Sequence, residues 1–483
     1  MTLVAVTAPQ AIDVLAVSWF ALLTIGYAVL CGASVVAGRR ELRDEGRRAL
    51  GAARLAGSLS QPRVTIVVPA HDEAAAIVLG VRALLTQQWH QLEVIVVCNG
   101  CTDGTLDELQ RAFALEQTPD SLARSPGAVA HIRSAWASRA DARLRVFDTG
   151  AGGKADALNC GLERATGSVF CTVDADSLLV PDAIARVVLP FVEQGSDVVA
   201  VGSVVRVLNG SQLEGGRVAR PGLPRTLRGR MQVVEYARGF QIGRAGWAEL
   251  GALPIISGAF SAFRTSALRT IGGFRVDTVG EDMEVVLRLH DHFRPRAGAR
   301  SVVFVPRPLC YTEVPEDAAD LRAQRIRWQH GLVESTLAHR RQMFDASTRA
   351  GRSSLPFLAV FELLAPVVEV IGVLGVLLAA VLGLLAPLVA AALLALAISV
   401  GVLLGAVGVL MEQSVGGRLV GAAPDAARLL VAAVAEQLGP RQQVAWWRLR
   451  ALATARRRRP ATWAAMHHRG AGRVASMVDD TSG

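Results

Sequence analysis

The sequence predicts an α/β domain joined to membrane-spanning helices, and three observations predict it. Between about Arg63 and Pro308, short β-branched runs alternate with segments of helical period. Hydrophobic residues make up 51% of the chain and the mean hydropathy is +0.35, higher than soluble globular chains usually show. The longest apolar runs lie outside that middle region, one before it and two after it. At 483 residues the chain has room for two or three such parts.

The first apolar run, from about Ile12 to Ala37, is long enough to cross a bilayer and carries a single charge, Asp13. Almost no positive charge precedes it, whereas Arg39, Arg40, Arg43, Arg47 and Arg48 follow. The positive-inside rule therefore puts the amino terminus outside and the next domain in the cytoplasm. A cleaved signal peptide would carry its positive charge before the apolar core, so a retained span is the better reading.

In the middle region, Val64–Val68, Val94–Val97, Leu144–Phe147, Val169–Val173 and Val198–Val201 read as buried strands. Ala74–Gln87 and Lys154–Ala165 carry helical period between them, as crossover helices on a sheet would. The stretches Thr118–Ala142 and Leu208–Arg228 are poorly patterned and read as loops.

Leu355–Leu385 and Pro387–Met411 are the second and third spans. Glu362 and Glu369 fall inside the former, where carboxylates are costly and point to function unless they sit at the interface. Ala426–Leu438 is short for a span and reads as an interfacial or re-entrant helix. Gln442–Arg456 interleaves Trp446, Trp447 and Leu449 with arginines, as a membrane-surface helix does. The net charge of +9 gathers at such flanks, including Arg456–Arg459, which suits an anionic membrane surface and not a nucleic-acid partner. Of six cysteines only Cys98 and Cys101 are close, with no second Cys or His pair nearby for zinc; free thiols in a reducing cytosol fit best.

Candidate chemistry clusters at strand ends. Asp174-Ala-Asp176 follows the strand Val169–Val173, and two hard carboxylates there suit Mg²⁺ or Mn²⁺ with a diphosphate completing the ligand set. Asp72 and Glu73 follow Val64–Val68, and Asn99 to Asp103 follow Val94–Val97, at the sheet edge where α/β folds bind ligands. Gly152-Gly153-Lys154 opens a helix and offers a phosphate contact without the Walker spacing. Glu281-Asp282 can deprotonate an acceptor hydroxyl, Arg327 can grip a diphosphate, and Trp328 can stack on a sugar.

In this order and spacing the motifs resemble the inverting family 2 glycosyltransferases of the membrane-bound polysaccharide-synthase type, which include cellulose, chitin, hyaluronan and poly-N-acetylglucosamine synthases. The resemblance runs from about Arg63 to Trp328 by motif. It implies a GT-A fold, the Rossmann-like nucleotide-diphospho-sugar transferase architecture, in a cytoplasmic domain with α-helical transmembrane and interfacial segments. It implies that Asp72, Glu73, Asn99, Asp103, Lys154, Asp174 and Arg327 bind the nucleotide sugar and that Asp174 and Asp176 hold the metal. Asp282 matches the catalytic base, with Glu281 beside it; Gln324, Arg327 and Trp328 match the Gln-x-x-Arg-Trp signature. Ser257 and Gly258, with Gln324 and Trp328, fall on the acceptor side. Two positions depart from the pattern. The family usually has Asp where this chain has Asn99, and Thr where it has Gly280. The end, Trp463 to Gly470, resembles a carboxyl-terminal signature of a bacterial subset. His71, His290 and His292 read as packing or surface residues.

The implied organisation is residues 1–38 as the first span, 39–62 as a cytoplasmic linker and 63–310 as the GT-A domain. Residues 311–354 are then interfacial helices, 355–411 two spans, and 412–483 an interfacial or re-entrant helix with a basic tail. The implied reaction takes a UDP-sugar, with Mg²⁺ or Mn²⁺, to a growing β-linked polysaccharide at the cytoplasmic membrane face, with secretion and an accessory subunit as further expectations. The alternative acceptor is a membrane lipid, a diacylglycerol or polyprenyl phosphate. A non-catalytic scaffold would have lost the acids at the sheet edge, and here they are intact.

Overall fold

The structure, a computed structural model, describes residues 8–119, 131–294, 296, 298–417, 419 and 423–455. The arginine run 456–459, the signature 463–470 and part of the stretch 118–142 lie outside the described residues.

A ten-stranded mixed sheet forms the centre. Its strands are β1 (Val64–Ala70), β2 (Leu92–Asn99), β3 (Leu115–Gln117), β4 (Ile132–Ser138), β5 (Leu144–Thr149), β6 (Val169–Val173), β7 (Ser177–Leu179) and β8 (Ala200–Val207). A separate two-stranded hairpin, β9 (Gln212–Glu214) and β10 (Arg217–Arg220), precedes β11 (Phe260–Arg264) and β12 (Val302–Thr312). The order is β3-β4-β5-β2-β1-β6-β11-β8-β12-β7. Strands β5, β2, β1 and β6 run parallel, so their carboxyl ends share one edge. Strand β11 inserts antiparallel between β6 and β8.

The core is what the sequence pattern demands of buried parallel strands: every residue of β1, β2 and β6 is buried. Helices Ile77–Leu85 and Lys154–Arg164 lie where their periodicity placed them. The two stretches read as loops contain strands instead. Strand β4 falls in the first, and the β9–β10 hairpin in the second, turned by Gly215 and Gly216, both at positive φ. Half-exposed strands carry mixed side chains and lack the apolar signature.

Among the described residues, three helices are long and apolar enough to cross a membrane: Ser18–Ala56, Ala350–Val381 and Pro387–Val415. The expected linker 39–62 is instead mostly helix, because the first helix runs unbroken from Ala8 to Ala56. Its charged half is held by ion pairs to the domain: Arg40 to Glu249 at 3.0 Å, and Glu41 and Glu45 to Arg307 at 3.1 and 2.7 Å. The third helix is fastened to β8. Arg206 Nε meets Glu412 Oε1 at 2.5 Å, Gln241 donates to Glu412 Oε2 at 2.6 Å, and all three side chains are buried. Both acids read within the second span are paired: Glu362 accepts from the Tyr27 hydroxyl at 2.9 Å and Glu369 pairs with Arg441 at 2.8 Å.

The helix Ala423–Gln437 buries Leu429, Ala432 and Ala433 against the domain helix Leu227–Ala237, and so packs on protein along one face. The last described helix, Pro440–Thr454, lies along Ala318–Ala338, and Arg448 bridges Gln329 Oε1 at 2.7 Å and the Glu362 carbonyl at 2.8 Å.

Candidate active site

The shared carboxyl edge of β2, β1 and β6 carries the expected acids. At the end of β1, Asp72 adopts a left-handed conformation (φ 57°) and accepts from the Thr102 and Asp103 N–H groups at 2.6 and 3.1 Å. These bonds hold its carboxyl below the usual carboxylate range. Asp103 in turn accepts from the Ala74 N–H at 3.0 Å, and the Glu73 N–H donates to Thr105 Oγ1 at 2.8 Å. The two strand ends are thus laced together as one rigid rim. The oxygen and sulfur atoms of Asp72, Asp103 and Cys101 lie within 4.8 Å of one another, on the rim and apart from the Asp174 pair.

Asn99 differs from expectation. It is buried, and its Oδ1 accepts from the Gly152 and Gly153 N–H groups, each at 2.9 Å. Its Nδ2 donates to Thr149 Oγ1 at 3.0 Å and the Gly150 carbonyl at 3.1 Å. Its amide is therefore engaged in shaping the loop before Lys154. The same bonds occupy both glycine N–H groups, so the expected phosphate contact from that loop reduces to Lys154 itself.

Lys154 is the hub. Its Nζ lies 2.6 Å from Asp174 Oδ1 and 3.5 Å from Glu281 Oε1, and donates to the Gly258 carbonyl at 3.3 Å. Burial works against the ammonium charge, but Asp174, Glu281 and Asp282 outweigh it and push its pKa above the usual lysine range. Glu281 and Asp282 open the helix Glu281–His292, and burial raises both carboxyls while Lys154 opposes the rise. Asp282 Oδ1 also accepts from the Met283 N–H at 2.9 Å. A Cβ on Gly258 would lie 3.1 Å from Lys154 Nζ and 3.4 Å from Asp282 Oδ2, so glycine leaves this wall open.

Asp174 follows β6, where its N–H donates to the Ala259 carbonyl at 3.1 Å and its carbonyl accepts from the Ser177 N–H at 3.0 Å. That turn sets Asp176 beside Ser177 and Thr312, whose hydroxyls lie 3.2 and 3.4 Å from its Oδ1. Two carboxylates with hard oxygen donors at one strand end form a set that fits a divalent cation. Ser257 lies beside Gly258, and its Oγ accepts from the Ala259 N–H at 3.3 Å, which stiffens that turn.

The helix Ala318–Ala338 carries the other signature. Gln324 is buried, Trp328 is 45% exposed, and Arg327 makes no hydrogen bond or ion pair among the described residues. The structure adds what the sequence reading missed: Arg325, beside them, pairs with Glu235 through two bonds of 2.6 and 2.7 Å and covers the Trp328 ring at 4.3 Å. It also places Arg244 close enough for the charge of Asp282 to act on it, and Tyr236 close enough for those of Asp176 and Arg325, with burial pushing the Tyr236 hydroxyl up to about 12. No motif flags either residue; a lone arginine in the apolar stretch Gly239–Leu253 is the only hint.

A mixed sheet of this order with acids on its parallel edge is the GT-A architecture of nucleotide-diphospho-sugar transferases. Residues 124–331 match the family described as "Glycosyltransferase like family 2". Among curated proteins it is similar to the poly-β-1,6-N-acetyl-D-glucosamine synthase of Staphylococcus epidermidis, with 29% identity over 217 residues, 44% of this chain and 46% of that one. It is similar also to the synthase of that name from Staphylococcus aureus strain COL, with 24% identity over 274 residues, 57% and 55% of the two chains. The chain thus spans about half the length of the curated relatives it matches. In fold it resembles a mannosyltransferase from Pyrobaculum calidifontis solved in complex with GDP-Man and Mn²⁺, with a TM-score of 0.51 and 21% identity over 85% of this chain and 99% of that one.

Proposed function

We propose that this chain transfers a sugar, with inversion, from a UDP-sugar to a growing β-linked polysaccharide at the cytoplasmic face of a membrane. The observation that carries the reading is the Lys154 hub, which ties Asp174 to Glu281, next to Asp282, in one buried cluster. Leaving-group and acceptor chemistry are thereby brought within one site.

Asp282 accepts the proton from an acceptor hydroxyl, and that oxygen attacks the anomeric carbon from the side opposite the nucleotide. A single displacement of this kind turns an α-linked donor into a β-linkage. A divalent cation held by Asp174 and Asp176 would neutralise the charge developing on the departing diphosphate. Arg327, which makes no hydrogen bond or ion pair among the described residues, grips the same diphosphate in this reading. Burial raises the Asp282 carboxyl, and Lys154 opposes that rise and so favours its proton-accepting form. Trp328, with its exposed ring backed by Arg325, offers a face for a sugar. The membrane helices keep the acceptor end of the site at the bilayer. Similarity to synthases named for a β-linked N-acetylglucosamine polymer supports a polymer over a lipid as the acceptor.

The test is a donor screen on the purified protein with Mn²⁺ or Mg²⁺, followed by sizing of radiolabelled product. Release of UDP with a ladder of products is expected. A single lipid-extractable species would replace the polymer reading by the lipid one, and no nucleotide release from any sugar nucleotide would overturn transfer altogether.

A further inference from the structure

The two fully buried arginines among the described residues, Arg206 and Arg325, come with carboxylates, and so does the half-buried Arg238. Arg206 has Glu412 at 2.5 Å, Arg238 has Glu436 at 2.7 Å, and Arg325 has Glu235 at 2.6 Å. Arg244 does not. It ends the π-helical segment Arg238–Arg244, and its guanidinium lies over the Phe240 ring at 4.1 Å. Its Nε is sealed from solvent without a partner, and it makes no hydrogen bond or ion pair with any described residue. The carboxylate close enough for its charge to act on Arg244 is Asp282, the residue proposed as the base, and the Tyr236 hydroxyl acts on it as well. The Arg244 side chain is half-buried, and a guanidinium whose Nε is sealed without a partner gains when an anion arrives to accept its forked hydrogen bonds. π-Helical turns are frequent at functional sites because they set a side chain out of helical register.

We propose that Arg244 is a phosphate-binding residue of the transfer site, receiving a substrate oxyanion beside Asp282. This rests on the transfer reading above and adds a residue to it. The oxyanion belongs either to the donor diphosphate or to a phosphorylated acceptor, and the residue chemistry is the same for both. Unlike Lys154, which its acids already hold, Arg244 has its remaining donors available to a ligand.

The test uses full-length protein in detergent with Mn²⁺. Binding of UDP and of a polyprenyl phosphate is measured for the wild type, Arg244→Gln, Arg244→Lys and Asp174→Asn. In parallel, modification of Arg244 in the wild type by phenylglyoxal is followed by peptide mass spectrometry with and without each ligand, a readout that does not depend on a variant folding. The expected result is protection by UDP and UDP binding weakened tenfold or more in Arg244→Gln, with partial recovery in Arg244→Lys. Protection by the polyprenyl phosphate, with UDP binding unchanged, assigns the oxyanion to the acceptor and upholds the proposal. Equal modification with and without both ligands, together with unchanged binding in Arg244→Gln, overturns it. If Asp174→Asn weakens UDP binding while Arg244→Gln weakens binding of neither UDP nor the polyprenyl phosphate, and neither ligand protects Arg244, this inference alone falls. A wild type that binds no UDP takes the transfer reading with it.

Discussion

Gly280 and Gly331 meet backbone to backbone. A Cβ on either would lie 2.8 Å from the Cα of the other. Glu334 and Ser335 reinforce the crossing: Glu334 Oε2 accepts from Thr278 Oγ1 and the Val279 N–H, both at 2.9 Å, and Ser335 Oγ reaches the Gly280 carbonyl at 3.4 Å. The helix that carries Gln324, Arg327 and Trp328 therefore bears directly on the turn that presents Glu281 and Asp282. Gly331→Ala should cost about 1–3 kcal/mol through overpacking. It should also reduce turnover more than donor binding, since it moves the base relative to the acceptor helix. Thermal unfolding and the separate kcat and KM values check this; unchanged turnover would mean the crossing only packs.

Asp282→Asn should lower transfer by about 10²–10⁴-fold while UDP binding survives, because general-base contributions have that size. Radiolabel transfer and calorimetric UDP binding measure the two effects. Full activity would remove Asp282 from its role.

The acid limb of the rate profile should depend on Lys154. Burial raises the Asp282 carboxyl and Lys154 opposes that rise, so transfer is full above its pKa and is lost as pH falls through it. Lys154→Met removes the opposing charge, raises that pKa further and moves the acid limb of kcat/KM to higher pH. A limb that stays in place, or moves to lower pH, contradicts the assignment.

Asn99→Asp restores the residue that the resembled enzymes usually carry, yet here it should destabilise by about 1–3 kcal/mol. The change removes the donor to Thr149 Oγ1 and the Gly150 carbonyl and sets a second carboxylate near Asp156 Oδ2, now 3.4 Å from Nδ2. Chemical denaturation followed by tryptophan fluorescence gives the value. A neutral outcome would mean the loop before Lys154 is held by other contacts.

Glu412→Ala leaves Arg206 buried without its counter-ion and should cost about 3–5 kcal/mol. The measurement is the loss of folded protein on heating in detergent, and a change within a few tenths would show that the third span is fastened elsewhere.

Much of this was legible before any coordinates. Strands β1, β2 and β6 were plain because a parallel strand buried on both faces is an unbroken apolar run, and Asp72, Asp174 and Asp282 were found as the polar residues that interrupt or follow such order. What stayed hidden depended on long-range pairing. Asn99 and Gly152 are far apart in sequence, and nothing local says that an amide beside a glycine-rich turn will close a loop. The charged half of the first helix read as a linker because its period is carried by ion pairs with Glu249 and Arg307, which only the fold brings near. Arg244 was invisible for a related reason, since the lack of a partner cannot be read from a sequence.

The unbroken helix Ala8–Ala56 makes the distance between bilayer and sheet a matter of residue count. From Arg39 to Ala56 it climbs roughly 27 Å at about 1.5 Å per residue. Its far end is seated on the domain, with Ala52 buried in the core and a Cβ on Gly51 lying 3.4 Å from Leu189. The helix is thus a gauge rod. One inserted residue would turn its tip through about 100° and lift it by about 1.5 Å. The Arg206–Glu412 clasp would keep the opposite flank at its old height, so the sheet would tilt.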